Sequence, residues 1–306
     1  MKKTTLTLSI AALAAVFAFT GCDKKSADTA SDGESKPAGS KKTVIANIGS
    51  DTMVNLASAW AEAYGKVDKS VSVEVGGGGS GTGVTALIEG TAQIANCSRT
   101  FEEKEVADFK AKHPGKEPKE YMVGYDAMSI FVHKDNPLNE ISLEQLGEIY
   151  KQDGKITKWS QLGIAAPGGK DEIARVTRQT NSGTVHYFKE AVVGKKNEFA
   201  LGAVVANGSN DVAKIIGQTI NAIGFSGMAY ATPEIKVLKV SKKTGEPGIA
   251  PSIETTLDKT YPISRPLFMY TVGEAEGAAK KYIDWILSDA GQQMEKENGY
   301  VPLPKK

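Results

Sequence analysis

From Thr43 onward the chain alternates short strand patterns with short helix patterns, and this alternation limits the possible folds more than any other feature. Thr43 to Ile48 alternates as a strand does, and Gly49-Ser50-Asp51-Thr52 then starts a helix. Met53, Leu56, Ala57, Trp60 and Tyr64 return at helical spacing and give that helix one apolar face. Val71, Val73 and Val75 predict the next strand, which runs into Gly76-Gly77-Gly78-Gly79. A short helix over Val84–Glu89 and a strand over Gln93–Asn96 follow, and Thr100 with Glu103 has the spacing of a capping box for a helix through Phe109. Strand–helix units this short predict a layered α/β fold with a largely parallel sheet.

Tyr121 to Val132 is a long extended stretch, suited to crossing from one lobe into another. Beyond it, Ser142 and Gln145 cap an amphipathic helix carrying Leu143, Leu146, Ile149 and Tyr150. Ile173 to Thr177 reads as a strand, Ser182-Gly183-Thr184 opens a helix, and Ala279, Tyr282, Ile283 and Ile286 form a helical stripe near the end. No repeat of solenoid period is present. The folded part is longer than one compact core usually takes, so two lobes are expected.

The chain begins Met1-Lys2-Lys3, continues with an apolar run from Leu8 to Phe19 broken only by Ser9, and reaches Thr20-Gly21-Cys22. This reads as a secretory signal over residues 1–21. The run is shorter than the ~20 apolar residues that span a bilayer. Cys22 directly after Gly21 resembles the lipobox of bacterial lipoproteins, in which the cysteine becomes the acylated first residue. Residues 22–42 are rich in Ser, Gly, Pro and Lys without apolar period and are expected to be a disordered tether. Losing residues 1–21 removes two lysines and no acids, which takes the formal charge from +1 to about −1. Such a balance argues against nucleic acid as a partner. With Cys22 assigned, only Cys97 remains, so no intramolecular disulfide is expected. Three histidines and one spare cysteine make no metal cluster of standard spacing either.

Ser-x-Thr opens three of the predicted helices, as Ser50-Asp51-Thr52, Ser80-Gly81-Thr82 and Ser182-Gly183-Thr184. Each follows a strand pattern. The first turn of a helix leaves backbone N–H groups without partners, and the dipole adds partial positive charge there. Hydroxyls beside those amides supply further donors, so such ends can solvate an anion without a lysine cluster. In open α/β sheets ligands gather at the carboxyl ends of strands, where these segments should lie. A single Ser-x-Thr means no more than an N-cap; three copies, two with a glycine that lets the backbone approach a ligand, point to an anion site.

Other chemistries fit poorly. Gly76-x-Gly78-x-x-Gly81 has the letters of a dinucleotide fingerprint, but no acid ends the next strand and no lysine follows for a P-loop. Gly78-Gly79-Ser80-Gly81 and Gly224-Phe225-Ser226-Gly227 each miss the last glycine of a nucleophile elbow. His113 and His133 sit in turn sequences and are expected at the surface, and His186 is expected on a helix face rather than as a base.

Taken together, Ile48-Gly49-Ser50-Asp51-Thr52, Gly79-Ser80-Gly81-Thr82-Gly83, Ala95-Asn96-Cys97-Ser98-Arg99, Val132-His133-Lys134-Asp135-Asn136-Pro137, Arg178 with Ser182-Gly183-Thr184, Ile223-Gly224-Phe225-Ser226-Gly227, Pro262-Ile263-Ser264-Arg265-Pro266-Leu267 and Gly299-Tyr300-Val301-Pro302-Leu303 resemble the phosphate-binding protein of bacterial ABC-type phosphate transporters. The likeness covers nearly the whole mature chain. It implies an α/β, two-lobed periplasmic-binding-protein fold of type II, with residues 43–125 and 262–306 in lobe I and 126–261 in lobe II. Phosphate would lie dehydrated in the cleft and pass to the permease of an ABC importer. The protein would be a lipid-anchored extracytoplasmic monomer without cofactor or catalytic activity.

Carried over residue by residue, Ser50, Thr52, the Met53 amide and Ser80 would hold the anion from lobe I. Ser182, Gly183, Thr184 and Arg178 would hold it from lobe II, with Arg178 as the one strong cation. One position departs from the family's pattern: Arg99 follows the serine at the strand end, where the best-known branch has an aspartate that accepts the ligand's proton. Arg99 is kept among the candidates. Asp126 is the first candidate for the missing acceptor and Asp51 the second. Cys97 is expected as a small buried filler. Two rival readings are a binding protein for sulfate or molybdate and a secreted phosphoesterase.

Overall fold

The computed structural model describes residues 42–305. The signal segment, Cys22 and all of the tether but Lys42 lie outside the described residues. The order is β1 (Thr43–Gly49), α1 (Val54–Val67), β2 (Val71–Gly76), α2 (Ser80–Ile88), β3 (Ile94–Cys97), α3 (Glu103–Lys112), β4 (Pro118–His133), β5 (Glu140–Ser142) and α4 (Leu143–Tyr150). It continues with β6 (Ala174–Arg178), α5 (Gly183–Phe188), β7 (Val204–Ala206), α6 (Ser209–Gln218), β8 (Ala222–Gly227), β9 (Ile235–Ser241), α7 (Ile253–Leu257), β10 (Ser264–Val272), α8 (Gly277–Ile286) and α9 (Asp289–Glu297). No helix among the described residues is long and apolar enough to cross a membrane.

The strands run in the order β2-β1-β3-β10-β4-β8-β6-β7, with β9 joined to both β4 and β5. The expected parallel pairing holds toward the ends of the sheet, in β1–β2, β1–β3, β6–β7 and β6–β8, and in β5–β9. The middle differs: β10 is antiparallel to β3 and β4, and β4 is antiparallel to β8 and β9. The sheet is therefore mixed, because β10 returns from the far end of the chain to fill the centre, and local strand–helix alternation carries no trace of that return. Along β4, residues 118–127 pair with β10 and residues 128–132 with β8.

The predicted apolar faces are buried. On α1, Leu56, Ala57, Trp60 and Tyr64 face the core with Met53, and the Trp60 indole N–H donates to the Gly291 carbonyl at 2.9 Å. The Tyr64 ring lies 5.1 Å from that of Tyr282 and 5.5 Å from that of Trp285, so the α8 stripe is the surface that α1 packs on. Burial of each such large side chain contributes roughly 1.5–3 kcal/mol. The Ser142–Gln145 capping box forms as its spacing predicts. The one placed at Thr100 and Glu103 lies two residues further on, between Glu102 and Glu105, where the Glu105 carboxylate accepts from the Glu102 amide at 2.8 Å. Cys97 packs among Val84, Leu87, Phe109, Phe268 and Tyr270. His113 and His133 are half-buried rather than exposed: the His113 ring lies 4.8 Å from that of Phe109, and His133 Nδ1 accepts from the Asp135 amide.

Candidate functional site

Ser50 follows β1, Ser80 follows the glycine run after β2, Ser98 follows β3 and Ser182 follows β6, so all four stand beyond the carboxyl ends of strands that pair in parallel. The sheet twist and the close glycine turns bring them together. Ser50 donates to Ser98 Oγ at 2.9 Å, and the Ser80 and Ser98 hydroxyls lie 3.4 Å apart. The Ser98 amide donates to Ser80 Oγ at 3.1 Å. From the other end of the sheet, Gly183 abuts the same pair: a Cβ on it would lie 2.3 Å from Ser80 Oγ and 2.6 Å from Ser98 Oγ. Thr52 and Thr184 meet hydroxyl to hydroxyl at 2.9 Å. All of these side chains are buried.

Capping alone explains only one of the serines. Ser182 Oγ accepts from the Thr184 and Val185 amides at the start of α5. The N-caps of α1 and α2 are Met53 and Gly79, with no side-chain cap bond, so the Ser50 and Ser80 hydroxyls point to the shared cluster instead. The Met53 amide donates to the Ser50 carbonyl at 2.9 Å and is already engaged.

Two arginines border the cluster where the sequence suggested one. Arg178 donates to Asp51 Oδ2 at 2.6 Å, to Ser209 Oγ at 3.2 Å and to Gln179 Oε1 at 3.0 Å, so its fork is largely committed. Burial pulls its pKa down, and the Asp51 carboxylate pushes back. Arg265 reaches further in. One terminal nitrogen lies 3.0 Å from both Thr52 Oγ1 and Thr184 Oγ1 and 2.9 Å from Asp126 Oδ2, which Nε also contacts at 3.2 Å. The side chains of Arg265 and Asp126 are each 1% exposed.

The two candidate proton acceptors are placed very differently. Asp51 spends both oxygens, Oδ1 on the Gly78 amide at 2.8 Å and Oδ2 on Arg178 and Gln179. Asp126 Oδ2 is held by Arg265, whereas its buried Oδ1 lies against Gly227, near the Met228 amide, and makes no hydrogen bond of normal geometry. Burial raises the Asp126 pKa, and the charge and hydrogen bonds of Arg265, with a smaller contribution from the Met228 amide, oppose the rise.

Arg99 stands outside the cluster. Its guanidinium grips Glu105 with two bonds of 2.7 Å, and it lines a surface groove of about 680 Å³ with Glu102, Glu105 and His186. His186 Nε2 lies 3.2 Å from Glu102 Oε1. The acids that follow Arg99 at the start of α3 are what draw it away. Three residues at the cluster were not among the sequence candidates. Ser98-Arg99-Thr100 is a fourth Ser-x-Thr after a strand and was legible as such. Arg265 is a lone cation in the otherwise apolar β10, a pattern that marks a buried charge with a partner. Tyr230 is the third: its hydroxyl donates to the Asp51 carbonyl at 2.5 Å, and the Tyr300 hydroxyl donates to the neighbouring Thr52 carbonyl at 2.6 Å.

Residues 34–290 match the PBP superfamily domain. The phosphate-binding protein PstS of Pseudomonas aeruginosa is 34% identical over 275 residues, covering 86% of this chain and 84% of its own. The chain belongs to this family of phosphate-binding proteins. PstS of Bacillus subtilis is 33% identical over 311 residues, covering 99% and 95%. Among solved structures, a Clostridium perfringens substrate-binding protein with bound phosphate superimposes with a TM-score of 0.76 at 28% identity, covering 86% of this chain and all of that one. An ABC-type phosphate transport receptor from Vibrio cholerae gives 0.66 at 27% identity, covering 85% of this chain. The fold is that of these relatives, α/β and two-lobed, with the hydroxyl cluster where the carboxyl ends of the parallel strands converge.

Proposed function

We propose that the protein captures inorganic phosphate between two lobes and delivers it to the permease of an ABC importer. Residues 43–125 with 262–306 form one lobe and residues 126–261 the other; the change of partners along β4 after Ala127 supports this boundary. Ser50, Thr52, Ser80 and Ser98 donate from the first lobe, Ser182, Gly183 and Thr184 from the second, and Arg265 supplies the cation nearest the anion. Cys22 carries the lipid that keeps the protein at the outer face of a membrane.

The observation that carries the reading is the buried hydroxyl cluster with Arg265 and Asp126 beside it, the Asp126 Oδ1 making no hydrogen bond of normal geometry. A phosphate ion at neutral pH carries a proton it can give to that oxygen. Sulfate carries none, so it would leave the carboxylate unpartnered and set like charges together. The test is calorimetric titration of the purified protein with phosphate, sulfate and molybdate. Binding of phosphate at ~1 μM or tighter, about −8 kcal/mol, with no heat from sulfate, supports the proposal. Sulfate or molybdate bound more tightly than phosphate overturns it.

A further inference from the structure

The glycine run after β2 has no role in the anion site beyond leading to Ser80, yet its geometry is specific. Asn181, on the segment between β6 and α5, lies directly against it. Asn181 Nδ2 donates to the Gly78 carbonyl at 2.7 Å and to Thr82 Oγ1 at 3.0 Å, and the Gly81 amide donates to the Asn181 carbonyl at 3.1 Å. The contact needs the glycines. Gly79 has φ +99°, and a Cβ there would lie 2.7 Å from the Asn181 carbonyl oxygen; one on Gly81 would lie 3.3 Å from Asn181 Cβ. It also needs a donor at position 181. The Thr82 hydroxyl gives its proton to the Gly78 carbonyl at 2.8 Å, so both partners of Nδ2 can only accept.

β2 ends one side of the sheet and β6 stands next to the last strand on the other, so this contact joins opposite ends of the molecule. Asn181 itself is exposed, at the rim, and makes no bond to the Ser50–Ser98 or Thr52–Thr184 pairs. We propose that Asn181 is a positioning residue that clasps the Gly78–Thr82 loop when the cleft closes, and thereby sets how slowly the anion leaves. This rests on the phosphate-binding reading above. Because the clasp forms only after closure, it acts on release and leaves capture by the open form untouched.

The test is stopped-flow measurement of phosphate association and release for the wild type, Asn181→Ala and Asn181→Asp, with thermal melting of each without ligand. Asn181→Ala removes two hydrogen bonds that exist only in the closed form, so release should quicken about tenfold. Association should stay within about twofold, as expected when a change acts on dissociation. Asn181→Asp should release at least as fast, since its carboxylate faces two acceptors. The ligand-free melting temperature should not move, because the residue is exposed and its clasp is open in that state. Unchanged release in both variants, beside tight binding by the wild type, overturns the clasp and leaves the phosphate reading standing. Slower association with a lowered ligand-free melting temperature also overturns it, since Asn181 would then be holding its own segment in place. A wild type that takes no phosphate overturns the phosphate reading and the clasp with it.

Discussion

Replacing Asp126 with Asn keeps the shape of the side chain and removes its charge, and the surroundings dictate how the amide must sit. Arg265 directs two N–H donors at Oδ2, at 2.9 and 3.2 Å, so the amide oxygen of the variant has to occupy that side. The NH2 group then takes the place of Oδ1, beside Gly227 and the Met228 amide. On the proposed reading, the acceptor for the ligand's proton becomes a donor. Protonated phosphate loses the group that takes its proton, and sulfate gains a hydrogen bond where it met a carboxylate. Leaving a buried polar group unsatisfied costs ~1–3 kcal/mol, so the ratio of phosphate to sulfate affinity should fall by about 5- to 150-fold. Calorimetry with both anions on both proteins measures this. The ratio is the informative quantity, because loss of a negative charge strengthens all anions alike and cancels from it. An unchanged ratio would refute the assignment of Asp126 as the proton acceptor, whatever happened to the individual affinities.

Other outcomes follow from the same contacts. Arg265→Met should weaken phosphate binding at least tenfold, the loss of a charged hydrogen bond worth ~1.5–3 kcal/mol, and more than Arg178→Met does, since Arg178 is committed to Asp51, Ser209 and Gln179; titration of both variants checks the order. Gly183→Ala should abolish tight binding while leaving the ligand-free melting temperature nearly unchanged, because its Cβ would sit 2.3 Å from Ser80 Oγ only when the lobes are together. Glu295 is fully buried against Gly124 with only the Gln292 side chain near its carboxyl group, and burial pushes its pKa up to about 9. The folded state keeps that proton while the unfolded state releases it, so the stability is full below about pH 4.5 and drains away as pH rises toward 9. Urea melts from about pH 5 to about pH 7 should show Glu295→Gln gaining about 3 kcal/mol on the wild type, at ~1.4 kcal/mol per pH unit; a gap that does not change with pH contradicts the buried-acid account.

Much of this was legible in the sequence where the signal was local. The stripe of Met53, Leu56, Trp60 and Tyr64, the alternation of Val71, Val73 and Val75, and the length of β4 all record burial against near neighbours, and periodicity reports burial directly. The antiparallel centre was not legible, because β10 pairs with β4 across more than a hundred residues of chain and register at that range leaves no pattern in either strand. The site divides the same way. Ser50, Ser80 and Ser182 could be found because each opens a helix after a strand. Arg265 was hidden because its partners, Thr52, Asp126 and Thr184, come from three distant segments. Arg99 looked like a site residue by position, but the acids at the start of α3 claim its guanidinium.

The most direct measurement is a crystal structure of the protein grown with phosphate. The account predicts one tetrahedral anion, free of water contacts, within hydrogen-bond distance of Ser50, Ser80, Thr184 and Arg265, with one of its oxygens against Asp126 Oδ1. An anion seated instead in the groove beside Arg99, or Ser50, Ser80 and Ser182 turned toward separate surfaces, would contradict it.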